Sequence, residues 1–264
     1  MYAFNYHRAK TVADALKLHK KAKDPKFLAG GHTLIPTLKQ RLARPSDLID
    51  ISGIATLKGI KVSKTAVTIG ALTPHVEVAT SSAVKKAIPA LAGLAEEIGD
   101  PQVRHRGTMG GSVANSDPAA DYPAAVLGLG ATIETNARKI EADKFFKGVF
   151  ETALKDGEIL TKISFPVPEK AGYMRFDQPA SRFALVGVFV AKFKSGVRVA
   201  VTGAGPCAFR VPAMEKALSA KFAPEALEGI TVPADDLNSD IHGSAEYRAH
   251  LITVMAKRAV AAAK

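Results

Sequence analysis

The sequence predicts an α+β protein of three small units, and two observations lead to this prediction. Hydrophobic residues make up 47% and charged residues 23% of the 264 positions, which are the proportions of an ordinary globular protein with a sizeable core. Helix and strand patterns alternate at the start of the chain, whereas paired strands with long helices follow. We expect units at residues 1–53, 54–168 and 173–264, with a linker at 166–172 where proline and glycine interrupt the strand pattern.

The first unit is predicted to be a small α/β fold with a glycine turn. Its predicted helices and strands are, in chain order, residues 12–20, 26–29, 34–42 and 47–51. Gly30 and Gly31 follow the first strand directly, and Thr33 is a candidate N-cap of the second helix. Because a strand, a glycine turn and a helix start direct backbone N–H groups at one spot, this turn predicts an anion site.

The second and third units are predicted from paired strands. The strand-like stretches of the second unit are LKGIKV, AVTIGALT and EILTKISFPV, and residues 87–98 form an apolar helix. In the third unit, FALVGVFVAKF and GVRVAVTGAG have the composition of two buried strands. Apolar residues with helical spacing then predict a C-terminal helix.

A second glycine turn lies in residues 100–123, which we expect to form a loop. Gly110 and Gly111 permit close backbone approach, and the hydroxyls of Thr108 and Ser112 can donate to phosphate oxygens. Two such turns facing one another would hold a pyrophosphate, with an aspartate left to accept from a hydroxyl or a ring nitrogen. On spacing alone, the alternative that both are ordinary tight turns stays open.

Composition excludes several classes of function. The net charge of +11 is spread along the chain without a nucleic-acid-binding motif, so no nucleic-acid partner is expected. The single cysteine, Cys207, excludes an internal disulfide and a cysteine-held cluster or zinc site made by this chain alone, and the seven histidines lack metal-ligand spacing. No apolar run has the length of a membrane span and no signal-peptide pattern begins the chain, so we expect a cytoplasmic protein.

Two stretches resemble the paired FAD-binding signatures of one family. AGGHTLIPTLKQRL at 29–42 and RGTMGGSVANSDPAADYPAAVLGLGA at 106–131 are similar to signatures in the flavoprotein subunit of molybdenum hydroxylases, the family of aerobic carbon monoxide dehydrogenase and xanthine dehydrogenase. QPASRFALVGVFVA, VRVAVTGAGPCAFR and DIHGSAEYRAHLITVMAKRAV resemble the C-terminal domain of the same subunit. The resemblance covers essentially the entire chain.

The resemblance implies a fold and a set of cofactor contacts. The fold would be an N-terminal FAD-binding domain of the vanillyl-alcohol oxidase-like type, made of two α/β subdomains, followed by a domain with an antiparallel sheet and helices. The positions that match the family's cofactor contacts are Ala29, Gly30, Gly31, His32, Thr33, Ile98, Thr108, Gly110, Gly111, Asn115, Asp121 and Leu160. The residues from 29 to 33 would hold the pyrophosphate on one side, and Thr108, Gly110 and Gly111 on the other.

The remaining matched positions have looser roles. Asn115 and Asp121 match positions near the same cofactor, Leu160 matches a backbone contact, and Ile98 matches an apolar or aromatic position beside the flavin. No catalytic residue and no metal ligand is implied for this chain.

The chain also departs from the family at several positions. Met109 stands where isoleucine is usual and Ser112 where asparagine is common. Arg175, Arg182 and Phe183 occupy the segment in which relatives place a lysine, an acidic residue or a tyrosine near the flavin. We therefore carry over no contact to the flavin ring from that segment.

The resemblance implies an electron-transfer subunit. Such a chain would take electrons from the 2Fe–2S clusters of a small partner subunit, which receives them from a large molybdenum-cofactor subunit, and pass them to an external acceptor. The implied assembly is a dimer of heterotrimers. Two alternatives remain: a self-sufficient FAD-dependent oxidase, and a non-redox basic binding protein with a degenerate flavin fold.

Overall fold

Three β-sheets and a two-stranded ribbon organise the chain. The computed structural model describes residues 1–264. The sheets follow one another along the sequence, and helices fill the spaces between them.

The N-terminal sheet is parallel and has three strands in the order β1-β3-β2. Its strands are β1 (Asn5–Arg8), β2 (Pro25–Leu28) and β3 (Asp47–Asp50). Helix α1 (Val12–Lys21) connects β1 to β2, and helix α2 (Leu34–Lys39) connects β2 to β3. All four residues of β3 are buried, as expected for the central strand of a sheet covered on both faces.

The middle sheet is antiparallel and has five strands in the order β4-β5-β10-β6-β7. The strands of this sheet and of the ribbon β8-β9 are β4 (Ile60–Val62), β5 (Ala66–Gly70), β6 (Thr132–Thr135), β7 (Lys139–Glu141), β8 (Phe146–Gly148), β9 (Glu151–Thr152) and β10 (Leu160–Pro166). Six helices lie between β5 and β6: α3 (His75–Thr80), α4 (Ser82–Ala87), α5 (Pro89–Glu97), α6 (Pro101–Arg106), α7 (Met109–Asn115) and α8 (Tyr122–Gly128).

The C-terminal sheet is antiparallel, with four strands in chain order. Its strands are β11 (Lys170–Asp177), β12 (Ala184–Phe193), β13 (Gly196–Thr202) and β14 (Phe209–Arg210). Helices α9 (Pro212–Ala220) and α10 (Ala245–Ala262) follow. Three single turns of 3-10 helix complete the fold, at Ala55–Leu57, Ala142–Lys144 and Pro224–Leu227. None of the helices combines the length and the apolar character needed to cross a membrane.

The hydrophobic cores reach across the boundaries between the sheets. The largest core lies under the middle sheet but includes Phe189 and Ala200 from the C-terminal sheet. The core under the N-terminal sheet includes Leu72 and Ile159 from the middle part of the chain. Neighbouring sheets therefore share hydrophobic cores, and this sharing couples their stabilities.

The structure confirms the predicted α+β class and corrects it in detail. The stretches LKGIKV and AVTIGALT form the antiparallel pair β4-β5, and the C-terminal helix is α10. Residues 100–123 are not a continuous loop, because α6, α7 and the start of α8 lie within them. The expected linker at 166–172 is also wrong in part, since β10 runs to Pro166 and an unanticipated strand, β11, begins at Lys170.

Candidate functional site

The first glycine turn carries a row of unpaired backbone donors. It links the end of β2 to the start of α2, and Gly31 has a φ of 80°, which favours glycine. The N–H groups of Gly30, Gly31, His32 and Thr33 donate to no acceptor within the chain. Thr33 occupies the predicted N-cap position, but its side chain makes no capping hydrogen bond. Four consecutive free donors form a site suited to an anion.

The second glycine turn uses its donors differently. The N–H of Gly110 donates to the carbonyl of Ala71 at 2.8 Å, and the N–H of Met109 donates to the carbonyl of Thr73 at 3.1 Å. The Oγ1 of Thr108 accepts from the N–H of Gly111 at 3.2 Å and so caps α7. These bonds hold the turn against the chain that follows β5.

The glycines of the second turn permit close packing. A Cβ on Gly110 would lie 2.5 Å from the Cβ of Ala71, which is closer than such atoms approach. Ala71 also donates to the carbonyl of Thr161 at 2.9 Å, so the strand that begins at Leu160 is linked to this turn. Glycine at position 110 therefore allows the backbone of the second turn to lie against the backbone at Ala71, as its sequence context predicts.

The two glycine turns contact one another. A Cβ on Gly30 would lie 2.1 Å from the carbonyl oxygen of Arg106 and 2.9 Å from the Cα of Gly107. A Cβ on Gly111 would lie 3.9 Å from the Cβ of Ala29. The structure thus brings together two segments that are far apart in the sequence, and the contact requires glycine at position 30.

A buried histidine lies beneath the second turn. His75 begins α3, and its backbone N–H donates to the carbonyl of Gly107 at 3.0 Å. The residue is only 4% exposed, and its Nδ1 has no hydrogen-bond partner. Burial lowers the pKa of His75 to about 4, and the positive charges of His32 and Arg104 add to the effect, so the imidazole is neutral near pH 7.

Sequence analysis missed His75. A single histidine after the end of a strand has no local signature. The only signal was its place in TPHVEV, where Pro74 precedes a helix. Its burial arises from Gly107, which lies far along the chain: a Cβ on Gly107 would be 2.6 Å from the Nε2 of His75.

Asp121 lies in a buried network that joins β11 to helices α5 and α8. The hydroxyl of Tyr173 donates to its Oδ1, and Nη1 of Arg175 lies 3.0 and 3.1 Å from its two oxygens. Nε of Arg175 also lies 2.7 Å from Asp177 and 3.3 Å from Glu97. Burial raises the pKa of Asp121, and Arg175 and Tyr173 oppose this rise by pairing with the carboxylate. Both oxygens of Asp121 therefore have partners within the protein.

The other predicted positions, Ile98, Asn115 and Leu160, lie on three different elements. Ile98 follows α5, is half-buried, and its carbonyl accepts from Nη1 of Arg104 at 3.1 Å. Asn115 ends α7, is half-buried and makes no side-chain hydrogen bond; a left-handed residue, Ser116 with a φ of 48°, follows it. Leu160 is 5% exposed and begins β10. Arg175 connects the end of α5, next to Ile98, to Asp121, because its Nη2 donates to the carbonyl of Glu97 at 2.8 Å.

The chain is similar to known proteins over nearly its full length. Residues 2–168 match the family described as the FAD binding domain in molybdopterin dehydrogenase. The chain is 35% identical to the carbon monoxide dehydrogenase medium chain of Afipia carboxidovorans, over 99% of this chain and 97% of that protein. It is also 35% identical to the nicotine 6-hydroxylase medium subunit of Paenarthrobacter nicotinovorans, over 98% of this chain and 96% of that protein.

Solved structures give the same result. One chain of the reconstituted CO dehydrogenase from Oligotropha carboxidovorans superimposes with a TM-score of 0.89 at 34% identity, covering 98% of this chain and 97% of that chain. One chain of quinoline 2-oxidoreductase from Pseudomonas putida 86 superimposes with a TM-score of 0.88 at 27% identity, covering 98% and 96%. The chain therefore belongs to the family of FAD-binding medium subunits of molybdenum hydroxylases, which are oxidoreductases.

Proposed function

We propose that the two glycine turns hold the diphosphate of FAD. The observation that carries this proposal is the row of four unpaired backbone N–H groups, from Gly30 to Thr33, in direct contact with the second glycine turn. A diphosphate has the negative charge and the acceptor oxygens that these donors lack within the chain. The residues present thus fit the cofactor.

We propose the following roles for the matched positions. Residues 29–33 bind the diphosphate from one side. Thr108, Gly110 and Gly111 form the opposite wall: Thr108 offers its hydroxyl, and the glycines leave room for close approach. Gly110 and Gly111 act mainly by the absence of a side chain, since their N–H groups already have acceptors.

The remaining matched positions would line other parts of the cofactor site, with Ile98 beside the flavin. Ile98 would provide an apolar contact and Leu160 a backbone contact, while Asn115 has a free amide for a polar one. Asp121 would face the cofactor as part of its cluster with Tyr173 and Arg175.

As its function, we propose electron transfer within a molybdenum hydroxylase complex. The chain would take electrons from the 2Fe–2S clusters of a small partner subunit and pass them to an external acceptor. Bound FAD would supply the ability to exchange electrons singly with one partner and in pairs with another. The residues of this chain bind and orient the cofactor, and no catalytic side chain is required.

The partners and the location belong to the same proposal. Related proteins are called medium chains or medium subunits, which supports a larger and a smaller companion. The lone Cys207 supports clusters held by another chain. We propose a large molybdenum-cofactor subunit, a small 2Fe–2S subunit, a dimer of heterotrimers and a cytoplasmic location.

We propose the division into units at 1–53, 54–168 and 173–264. The separate sheets support this division, as does the end of the family match at residue 168. The first two units would together form the FAD-binding domain. The third contacts the second through β11, whose Tyr173 and Arg175 pair with Asp121.

The test is purification of the protein from its native host under mild conditions. The expected result is a flavin spectrum above a broad iron–sulfur absorbance, with a large and a small chain present in the same sample. A flavin-containing chain without partners would exclude the assembly but keep the cofactor site. A colourless, solitary chain would contradict both parts of the proposal.

A further inference from the structure

His75 has an environment that the fold alone does not explain. Its Nδ1 is buried and unpaired, and the hydroxyl of the neighbouring Tyr122 is buried and unpaired as well. The two rings lie 5.4 Å apart between centroids. Buried polar atoms are nearly always hydrogen-bonded, so two of them on adjacent rings indicate a role that outweighs their cost.

The position of His75 connects it to both glycine turns. Gly107 lies between the imidazole and the first turn. A Cβ on Gly107 would lie 2.6 Å from the Nε2 of His75, and a Cβ on Gly30 would lie 2.9 Å from the Cα of Gly107. The backbone at and before His75 is bonded to the second turn: the N–H of His75 donates to the carbonyl of Gly107, and the carbonyl of Thr73 accepts from the N–H of Met109. Nε2 makes no hydrogen bond within the chain and, unlike Nδ1, is not among the fully buried atoms, so it is the ring nitrogen that a ligand can reach.

The electrostatic surroundings of His75 favour an anionic ligand. Arg104 extends from α6 and His32 from the first turn, and positive charge on either lowers the pKa of His75. The third titratable neighbour, Tyr122 on α8, stays uncharged because burial raises its pKa. Asp121 acts on Tyr122 but is paired with Arg175, so the cationic Arg104 suits the junction to a diphosphate.

We propose that His75 is a diphosphate-positioning residue of the FAD site, and this inference rests on the function proposed above. In its neutral form the imidazole has one protonated nitrogen. The structure assigns that proton to Nε2, which donates to a phosphate oxygen at the junction of the two turns. Nδ1 is then the unprotonated nitrogen, buried without a partner. A bound diphosphate also raises the proton affinity of the ring.

The first experiment uses two probes on the full chain stripped of flavin. ADP carries the diphosphate and adenosine does not. The NMR signals of the His75 imidazole are followed as each probe is added, with the exposed His250 as an internal reference. We expect ADP to shift the His75 signals and to raise the pKa of His75, and adenosine at the same concentration to leave both unchanged. Equal shifts from the two probes, or none from ADP, would overturn the inference.

The second experiment compares variants in FAD binding, measured by quenching of flavin fluorescence. His75→Phe keeps a ring but removes both nitrogens, and we expect it to weaken FAD and ADP by the same factor of about ten, the effect of one hydrogen bond to a charged group. His75→Gln keeps a donor and should recover part of the loss. His250→Gln is the matched control and should bind like the wild type.

The outcomes separate this inference from the proposed function. A wild-type chain that binds no FAD would overturn both. A wild-type chain that binds FAD, with His75→Phe binding equally well, would overturn only the role of His75. If His75→Phe does not fold, the NMR titration of the wild type decides alone.

Discussion

Gly30 determines how closely the two glycine turns approach. Its place against the carbonyl of Arg106 leaves no room for a methyl group. We expect Gly30→Ala to push the turns apart and to weaken FAD binding at least about tenfold. Equilibrium titration of the flavin-free chain with FAD measures this effect.

The matched control is Gly93→Ala. Gly93 is an exposed glycine in α5, and a Cβ there would meet nothing within 4 Å. This change should leave FAD affinity unchanged and stabilise the helix by up to about 1 kcal/mol. If both variants bind FAD like the wild type, the contact between the turns does not form the site.

His75 also predicts how stability depends on pH. Its pKa in the folded chain is about 4, below the usual 6.5, so the unfolded chain binds the proton more tightly. Stability in the flavin-free chain should therefore be constant above about pH 6.5 and fall as the pH drops from there towards 4. Between pH 7 and pH 5 this histidine accounts for about 2 kcal/mol.

Urea unfolding of the wild type and of His75→Gln at pH 7 and pH 5 measures this contribution. The variant should lose less stability than the wild type on acidification. Equal losses would mean that His75 is not buried in its neutral form.

The roles of some residues can be predicted from the sequence, and those of others cannot. Paired glycines beside hydroxyls mark both turns, because only a few backbone conformations need them. His75 has no such mark, since its role depends on Gly107, which only the fold brings to it. The unpaired N–H groups of residues 30–33 could not be predicted either, because the sequence does not show which N–H groups have acceptors.

At the scale of elements, short helices were the hardest to predict. Helix α6 begins with Pro101 and is capped by Asp100, whose Oδ1 accepts from the N–H of Val103 at 2.8 Å. Helix α7 contains Gly110 and Gly111, which have low helix propensity, and it is stabilised by packing on Ala71 instead. The density of glycine and proline therefore indicated a loop where tertiary contacts stabilise helices.

Strand β11 was missed for a related reason. It contains Gly172, which weakens a strand pattern, and charged residues at three of its eight positions. Gly172 is needed because a Cβ there would lie 2.0 Å from the carbonyl oxygen of Ala259 in α10. The close contact with α10, which is distant in the sequence, thus requires glycine at this position of the strand.

Thr108 provides a test at the level of one helix. Its hydroxyl caps α7, so Thr108→Val should lower the free energy of unfolding by about 1 kcal/mol and weaken FAD binding as well. Thr108→Ser keeps the hydroxyl and is the control. Unfolding curves and FAD titrations of both variants measure these effects. If Thr108→Val matches Thr108→Ser in both stability and FAD affinity, the hydroxyl of Thr108 does not contribute to the site.

At the scale of the whole molecule, one buried cluster couples the C-terminal sheet to the helices before it. The side chains of Arg175 and Asp121 are 7% and 6% exposed, and they connect β11 to α8. Breaking such a pair leaves an uncompensated buried charge. We expect Asp121→Asn to lower the free energy of unfolding of the flavin-free chain by about 3 kcal/mol.

The control for this prediction is an exposed ion pair. Glu141 and Lys144 lie 2.8 Å apart with side chains 72% and 73% exposed, so Glu141→Gln should leave stability unchanged. Comparison of the unfolding curves of the two variants measures the difference. Should Asp121→Asn prove as stable as the control, the coupling between the units must come from apolar packing instead.

The order of most strands and helices was predictable from the sequence, but the contacts between the three sheets were not. Strand and helix periodicity locates the sheets along the chain, and the family resemblance gives their arrangement. The contacts Gly30–Arg106 and Asp121–Arg175 join residues that are more than fifty positions apart. Such pairs leave no pattern in a single sequence.

The most direct test of the central claim is the flavin content of this chain purified by itself. We predict that the wild-type chain binds FAD, identified after release from the protein, and that Gly30→Ala retains far less of it while Gly93→Ala retains as much. A wild-type chain that is colourless and takes up no added FAD would contradict the claim that the two glycine turns form a flavin site.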